Sequence, residues 1–399
     1  MKISNPQLRW QLTFQGAWPT GVAFLGSSQR LAAANQEGVI AVWQLPNEPP
    51  AASETEAKSK QEQDREAPDF APLRRLDGHT NAVTRLLATR DGEQLISASL
   101  DRSIRIWRPN DTAQGKGELV VDIDSRRAEV KRTKNEELLT APGVSVETIS
   151  SAHVLSGHSQ WIYSLGISDD ERRLISGDSG SQVVVWDLTQ HKELARWQGL
   201  SWNWIVASAL SPDGNIAAVS EYRYKRDDFD IPAAAMRLFD AATGEEKLDI
   251  LQVQFPKYDR GDATYGGGQV WRKFVAQGLI AADFSPDGSL LALGQGGETD
   301  TGKVHIIDTS TGKAIREISG HRYGVTDVKF SADGNYVLST GRDTMLRICE
   351  VSDGKEVAAL GKSRGGQFKD WLYALAISPD QNWVAATDIA GLVHVWQLS

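Results

Sequence analysis

One stretch of the chain places His79, Ser97 or Ser99, Asp101 and Trp107 at spacings that invite a chemical reading. A histidine between a carboxylate and a hydroxyl is the arrangement that activates a nucleophile. With an indole N–H added, it is also a closed network in which every donor meets an acceptor. Other candidate motifs are weaker. A phosphate-binding loop is nearly spelled from Gly297 to Gly302-Lys303, but Val304 stands where a magnesium-binding hydroxyl is needed, and the segment leads into a strand. Gly361-Lys362-Ser363-Arg364-Gly365 has the letters of a nucleophile elbow, but falls between two strands and not at a strand-to-helix turn. Gly266-Gly267-Gly268 does not fit a dinucleotide fingerprint and reads as a flexible loop. The seven histidines include no His-x-x-x-His pair, and His153, His191, His305 and His394 are scattered. The acidic run Arg226-Asp227-Asp228-Phe229-Asp230 lacks the spacing of a calcium loop. No metal, cofactor or catalytic residue is expected.

The elements that carry the first constellation are strands. Within 76–107, Ala82–Ala88, Gln94–Ser99 and Ser103–Trp107 are short, apolar and rich in β-branched residues. The break at Arg90-Asp91-Gly92 is a hairpin signal, because glycine supplies the positive φ. That break recurs at Ser168-Asp169-Asp170-Glu171, Ser211-Pro212-Asp213-Gly214, Ser285-Pro286-Asp287-Gly288, Ser331-Ala332-Asp333-Gly334 and Ser378-Pro379-Asp380-Gln381, with a degenerate copy at Leu25-Gly26-Ser27-Ser28. The third strands end at Trp43, Trp107, Trp186, Phe239, Ile307, Cys349 and Trp396, which makes seven units. A fourth strand precedes each unit: 71–76, 152–155, 191–197, 245–253, 313–318 and 355–360, with Leu8–Phe14 supplying the seventh.

Gly78-His79, Gly157-His158 and Gly320-His321, the turn Asp and the terminal Trp (Trp186-Asp187 once) resemble the WD40 repeat. The resemblance implies an all-β fold: a seven-bladed β-propeller of four-stranded antiparallel blades, closed by the N-terminal strand in the last blade. It implies structural roles for His79, Asp101, Trp107, His158, Trp186, His321 and Asp343. Conformity is uneven. The unit at 155–186 has Gly180 at the turn-Asp position, and 318–349 has Cys349 for Trp. The units at 200–240 and 270–308 lack the histidine and are expected to rest on apolar packing alone.

At 399 residues and a formal charge of −9, the chain reads as one repeat domain, 1–399, with no general nucleic-acid surface. Cys349 is the only cysteine, which excludes an internal disulfide and fits a reducing compartment. The N-terminal stretch has no apolar core of a secretory signal, and no run is long enough to span a bilayer, so a cytoplasmic location without membrane attachment is expected. Nothing in the sequence bears on oligomeric state.

Insertions mark where function is expected. Residues 46–70 are polar and read as a mobile loop. In 108–151, GELVVDIDS and VSVETIS are expected to pair as a hairpin around a charged helix, RRAEVKRTKNEELL. Both leave from the lower face. Residues 221–235, 254–272 and 294–302 should cluster on the upper face, from the fourth and fifth blades. Aligning the units places Trp18, Ala82, Trp161, Trp204, Gly278, Gly324 and Trp371 in one column, at the head of the innermost strand. The resemblance sets that column at the upper mouth of the central channel. Tryptophan there serves either as a binding hot spot or as packing between blades. Tyr163, Trp202, Tyr323 and Tyr373 add to the aromatic supply. The reading is a non-catalytic scaffold that binds another protein or peptide through Trp18, Trp161, Trp204, Trp371 and Tyr323, with Tyr222, Tyr224, Lys225, Arg226, Tyr258, Arg260 and Tyr265 from the insertions. The alternative is a carbohydrate or small-ligand propeller using the same aromatic mouth.

Overall fold

The computed structural model describes residues 1–14, 18–46, 71–120, 123–222, 234–256, 278–297, 302–362 and 371–399. The insertions 46–70, 221–235 and 254–272 lie largely outside them, as do residues 298–301 of the insertion 294–302, the Gly266 run and the acidic run at 226–230.

Seven antiparallel blades form a closed ring. Their inner strands are Pro19–Leu25, Val83–Ala88, Ile162–Ile167, Trp204–Leu210, Leu279–Phe284, Val325–Phe330 and Leu372–Ile377. Each packs on the next, and the last returns to the first. The N-terminal strand Gln7–Thr13 pairs antiparallel with Leu392–Gln397 and completes blade 7. The expected closure and the blade count are both as read.

The hairpins between first and second strands repeat one local device. In blade 2 the Thr89 hydroxyl donates to Asp91 at 2.6 Å, and Asp91 accepts the Glu93 N–H at 2.9 Å. Ser168 with Asp170, Ser211 with Asp213, Ser285 with Asp287 and Ser331 with Asp333 repeat the hydroxyl bond at 2.6 Å. The fourth residue sits at positive φ, near 70° for Gly92, Gly214, Gly288 and Gly334. Two blades place a longer residue there, Glu171 at φ 58° and Gln381 at φ 61°. Their side chains reach the neighbouring blade: Glu171 accepts the Arg90 N–H and Gln381 the Ala332 N–H. The strained backbone position thereby carries a contact between blades.

Two readings are corrected. The outer strand of blade 4, expected over 245–253, is only Glu246–Asp249. It turns into the helix Ile250–Gln254, because Asp249 accepts the Gln252 N–H at 3.1 Å and caps it. Blade 1 is six-stranded. Within 108–151, Gly115–Leu119 and Val144–Ser150 pair as the expected hairpin, with the helices Ile123–Thr133 and Glu137–Thr140 between them. Val144–Ser150 then pairs in parallel with Arg74–Asp77, the outer strand of blade 1. An insertion from blade 2 thus widens blade 1.

This widening covers the closing strand. Leu119 and Val146 are buried in one cluster with Trp10, Leu12, Phe14 and Trp43, which also holds Val393 and Val395. Phe14 meets Trp43 edge-on at 5.6 Å. Replacing Leu119, fully buried, with alanine is expected to cost about 3 kcal/mol in denaturant unfolding, as for other core leucines. A change below about 0.5 kcal/mol, typical of a surface position, would show that the insertion stands apart from the closing core.

Candidate functional site

The first constellation assembles as read, and its geometry decides its role. In blade 2, Trp107 Nε1–H donates to Ser97 Oγ at 2.8 Å. Ser97 Oγ lies 2.7 Å from His79 Nε2, and His79 Nδ1 lies 2.8 Å from Asp101. Asp101 also accepts from the Thr80 N–H, the Ser103 N–H and the Ser103 hydroxyl. With a neutral ring, one proton arrangement satisfies every contact: the Ser97 hydroxyl donates to Nε2, and Nδ1–H donates to the carboxylate. Burial lowers the His79 pKa, opposed in part by Asp101, so the ring is neutral. Burial raises the Asp101 carboxyl, but the bonds from His79 and Ser103 outweigh it and hold the group well below the carboxylate range. The relay has the connectivity of a nucleophilic triad, yet Ser97 is fully buried and its oxygen already accepts an indole N–H. No substrate reaches it. Gly78 is needed for packing, since a Cβ there would lie 3.2 Å from the Trp107 ring and 2.6 Å from Arg105.

Blade 3 repeats the network with His158, Ser176 and Trp186, but the carboxylate is Asp178 and not a residue at position 180. Asp178 ends the second strand, and its other oxygen accepts the Gly180 and Gln182 N–H groups. The vacancy expected at Gly180 is therefore filled from two residues earlier. Blade 6 keeps His321 between Asp343 and Ser339, each at 2.8 Å, without an indole. Cys349 takes the tryptophan's place, its thiol pushed up to about 11 by burial.

The two blades expected to rest on apolar packing alone do not. In blade 4, Glu221 at the end of the second strand forms a buried ion pair with Arg237 on the third, at 2.6 Å through Nε. In blade 5, Gln295 meets His305 at 3.3 Å in the same positions. Blade 7 does likewise with Asp388 and His394 at 2.7 Å, and His394 also meets Gln11 of the closing strand at 3.3 Å. The signal was in the sequence. Asp178, Asp388, Ser99 and Asn35 each stand eight residues before the terminal tryptophan, and Arg237, His305 and His394 stand two before the end of their third strands.

The tryptophan column is structurally real. The carbonyls of Trp18, Ala82, Trp161, Gly278, Gly324 and Trp371 accept equivalent N–H groups from just beyond the second strand: Gln36, Leu100, Ser179, Gly296, Arg342 and Ile389. Trp18 and Trp161 are each 47 % exposed, and Trp202 is 69 % exposed. Trp204 stacks on Tyr163 of the preceding blade at 5.0 Å, and the Arg342 guanidinium lies 4.3 Å over Trp371. Arg322 lies over Tyr323 at 5.6 Å. Tyr222 is corrected: it is buried in the core between blades 4 and 5, where the ring packs against Gly278, so it offers no contact. Tyr224, Lys225, Arg226, Tyr258, Arg260 and Tyr265 lie outside the described residues. Among the described residues, no group of three or more His, Cys, Asp or Glu is placed to hold a metal, and no helix is long and apolar enough to cross a membrane.

The family model "WD domain, G-beta repeat" matches residues 70–108, 149–187 and 312–350, the three units with the Gly-His element. Autophagy-related protein 16 of Arabidopsis thaliana is 36 % identical over 98 residues, covering 25 % of this chain and 19 % of that protein. WD repeat and SOCS box-containing protein 1 of Homo sapiens is 32 % identical over 117 residues, covering 29 % and 26 %. Pre-mRNA-processing factor 19 homolog 2 of Arabidopsis thaliana is 23 % identical over 296 residues, covering 69 % and 48 %. The matched regions span from about a fifth to about half of these relatives.

Two measurements test the buried networks. Ser97→Ala leaves the His79 ring nitrogen and the Trp107 N–H without a partner, and is expected to cost about 1–3 kcal/mol in equilibrium unfolding. His305, buried to 1 % exposure, has its pKa driven from 6.5 to about 4 by desolvation, with Glu317 opposing and Lys303 assisting. Between those values the unfolded chain binds a proton that the folded one does not, so stability rises with pH across this window. His305→Gln is expected to remove on the order of 3 kcal/mol of that rise between pH ~4 and ~6.5. An unchanged pH profile would show that His305 is not held neutral.

Proposed function

Starting from a seven-bladed propeller that carries WD40 repeats, we propose that this chain is a non-catalytic scaffold that binds a partner protein or peptide through the tryptophan-bearing face. The observation that supports this most directly is the exposure of Trp18, Trp161 and Trp202 at the heads of inner strands. Indole rings left in water forgo the burial that stabilises every other tryptophan-rich part of the core. The same rings, covered by a partner, supply large apolar area and an N–H donor at little entropy cost. Trp204, Trp371 and Tyr323 extend the aromatic area, and Arg322 and Arg342 place cations beside it. Rigidity favours the same use, because the column is fixed by backbone bonds to the second strands and does not have to be ordered on binding.

A cytoplasmic location is part of this proposal. Its support is the single cysteine, buried and held as a thiol, in a chain that needs no disulfide.

Affinity capture from native lysate, comparing wild type with Trp18→Ala/Trp161→Ala, tests the reading. The variant is first shown to be folded by circular dichroism. The expected result is a partner whose recovery falls about tenfold or more, since a central tryptophan is worth about 2 kcal/mol or more in an interface. Partners recovered equally by the folded variant would remove this face from the interface.

A further inference from the structure

The central channel holds a cavity of 630 Å³, lined by inner strands of all seven blades and by the turns Thr89-Arg90, Ser331-Ala332 and Ser378-Pro379 at its lower end. None of the column tryptophans lines it. Its volume lies in the range of small-molecule sites. The room comes from the sequence. At one equivalent level, pairing with the second strands, the inner strands present Gly21, Ser164, Ala207 and Ala281, and two charged residues, Arg85 and Asp327. Two residues further down, Asp283 and Lys329 face each other at 3.4 Å.

The two carboxylates have structural work. Asp327 accepts the Val328 N–H at 3.0 Å and the Leu375 N–H of the next blade at 2.9 Å. Asp283 accepts the Phe330 N–H of its next blade at 2.8 Å, besides pairing with Lys329. Both stitch adjacent inner strands together. Arg85 is different. Among the described residues its guanidinium donates only to the Thr84 carbonyl, at 3.0 Å, and has no carboxylate within ion-pair distance. Lys329 lines the same space; the Asp283 and Asp327 carboxylates hold it charged, against a weaker repulsion from Arg85. A guanidinium with four N–H groups left over, facing a confined space that also holds Lys329, is built to take a carboxylate or phosphate oxyanion. Leu87 and the alanines of the wall offer apolar surface for a carbon skeleton.

We propose that the central channel binds a small organic anion, a carboxylate or phosphate ester, with Arg85 as the principal contact and Lys329 as its support. This site is separate from the tryptophan face, and it is tested on purified protein with no partner present. Citrate and inorganic phosphate are the probes, titrated by calorimetry into wild type, Arg85→Met and Arg85→Lys, each checked by thermal melting.

At least one probe is expected to bind wild type saturably with one site. Arg85→Met should weaken it about tenfold or more, and Arg85→Lys should restore part of the loss. Neither probe saturating at about 10 mM, a concentration that detects even millimolar affinity, overturns the proposal, including the case where the channel takes only an acidic side chain of a bound protein. Equal binding by wild type and folded Arg85→Met also overturns it. Because the wild-type titration is decisive alone, a variant that fails to fold does not protect the proposal.

Discussion

Ring closure is the constraint on which the rest depends. Each blade buries its faces against two neighbours, so a ring with a gap would leave two apolar sheets in water. The gap is closed by antiparallel pairing of Gln7–Thr13 with Leu392–Gln397, which joins opposite ends of the chain. Such a long loop is costly to close, and its reward comes only when all blades are in place. The seam is reinforced accordingly. Trp10, Leu12 and Phe14 are buried with residues of blade 1, and Leu119 and Val146 of the insertion cover the same cluster. Gln11 adds a bond to His394 within the closed blade.

The second requirement is satisfied blade by blade. Where the second strand ends, the chain turns inside the packed ring and leaves polar backbone that needs partners. In blades 1, 2, 3 and 7 a side chain at that bend or just after it accepts its N–H groups. Asn35 accepts the Glu37 and Val39 N–H groups, Asp178 and Asp388 do the equivalent, and Asp101 does it from two residues later. An anionic group so placed needs a donor of its own. Blades 2, 3 and 6 bring a histidine from the segment before the inner strand, while blades 4 and 7 take Arg237 or His394 from the third strand. The histidine of the repeat is thus one of two routes to the same end, and its absence does not signal a blade without a polar core.

The scaffold then has two places with chemistry to spare. On the face at the heads of the inner strands, indole rings are exposed on a backbone locked by the ring. In the channel, small residues leave a volume that charged side chains enter. They differ in kind: the first offers area and suits a macromolecular surface, the second offers a confined cation and suits a small anion. Both use positions at which the repeats diverge, where neither the turn nor the core dictates the residue.

The sequence by itself determined what local rules encode: seven strand triples, the Ser-x-Asp-Gly turns, the Gly-His element, the tryptophan column and the closing strand. Turn chemistry and period-two patterning act within a few residues, so each was legible wherever the motif was intact. Tertiary structure decided what depends on register between strands. Gln295 with His305 and Glu221 with Arg237 meet diagonally across a strand pair, and Asp178 takes the place of Gly180 by meeting a histidine from the loop before the inner strand; a single-sequence pattern does not say which side chains come together. The parallel addition of Val144–Ser150 to blade 1 joins segments separated by a whole blade's strands, with no turn to announce it. Burial was decided there too: Tyr222, polar-tipped and beside an insertion, is core, while Trp18 and Trp161 remain half in water. Exposure belongs to the surroundings of a side chain, and those are set only when the ring has closed.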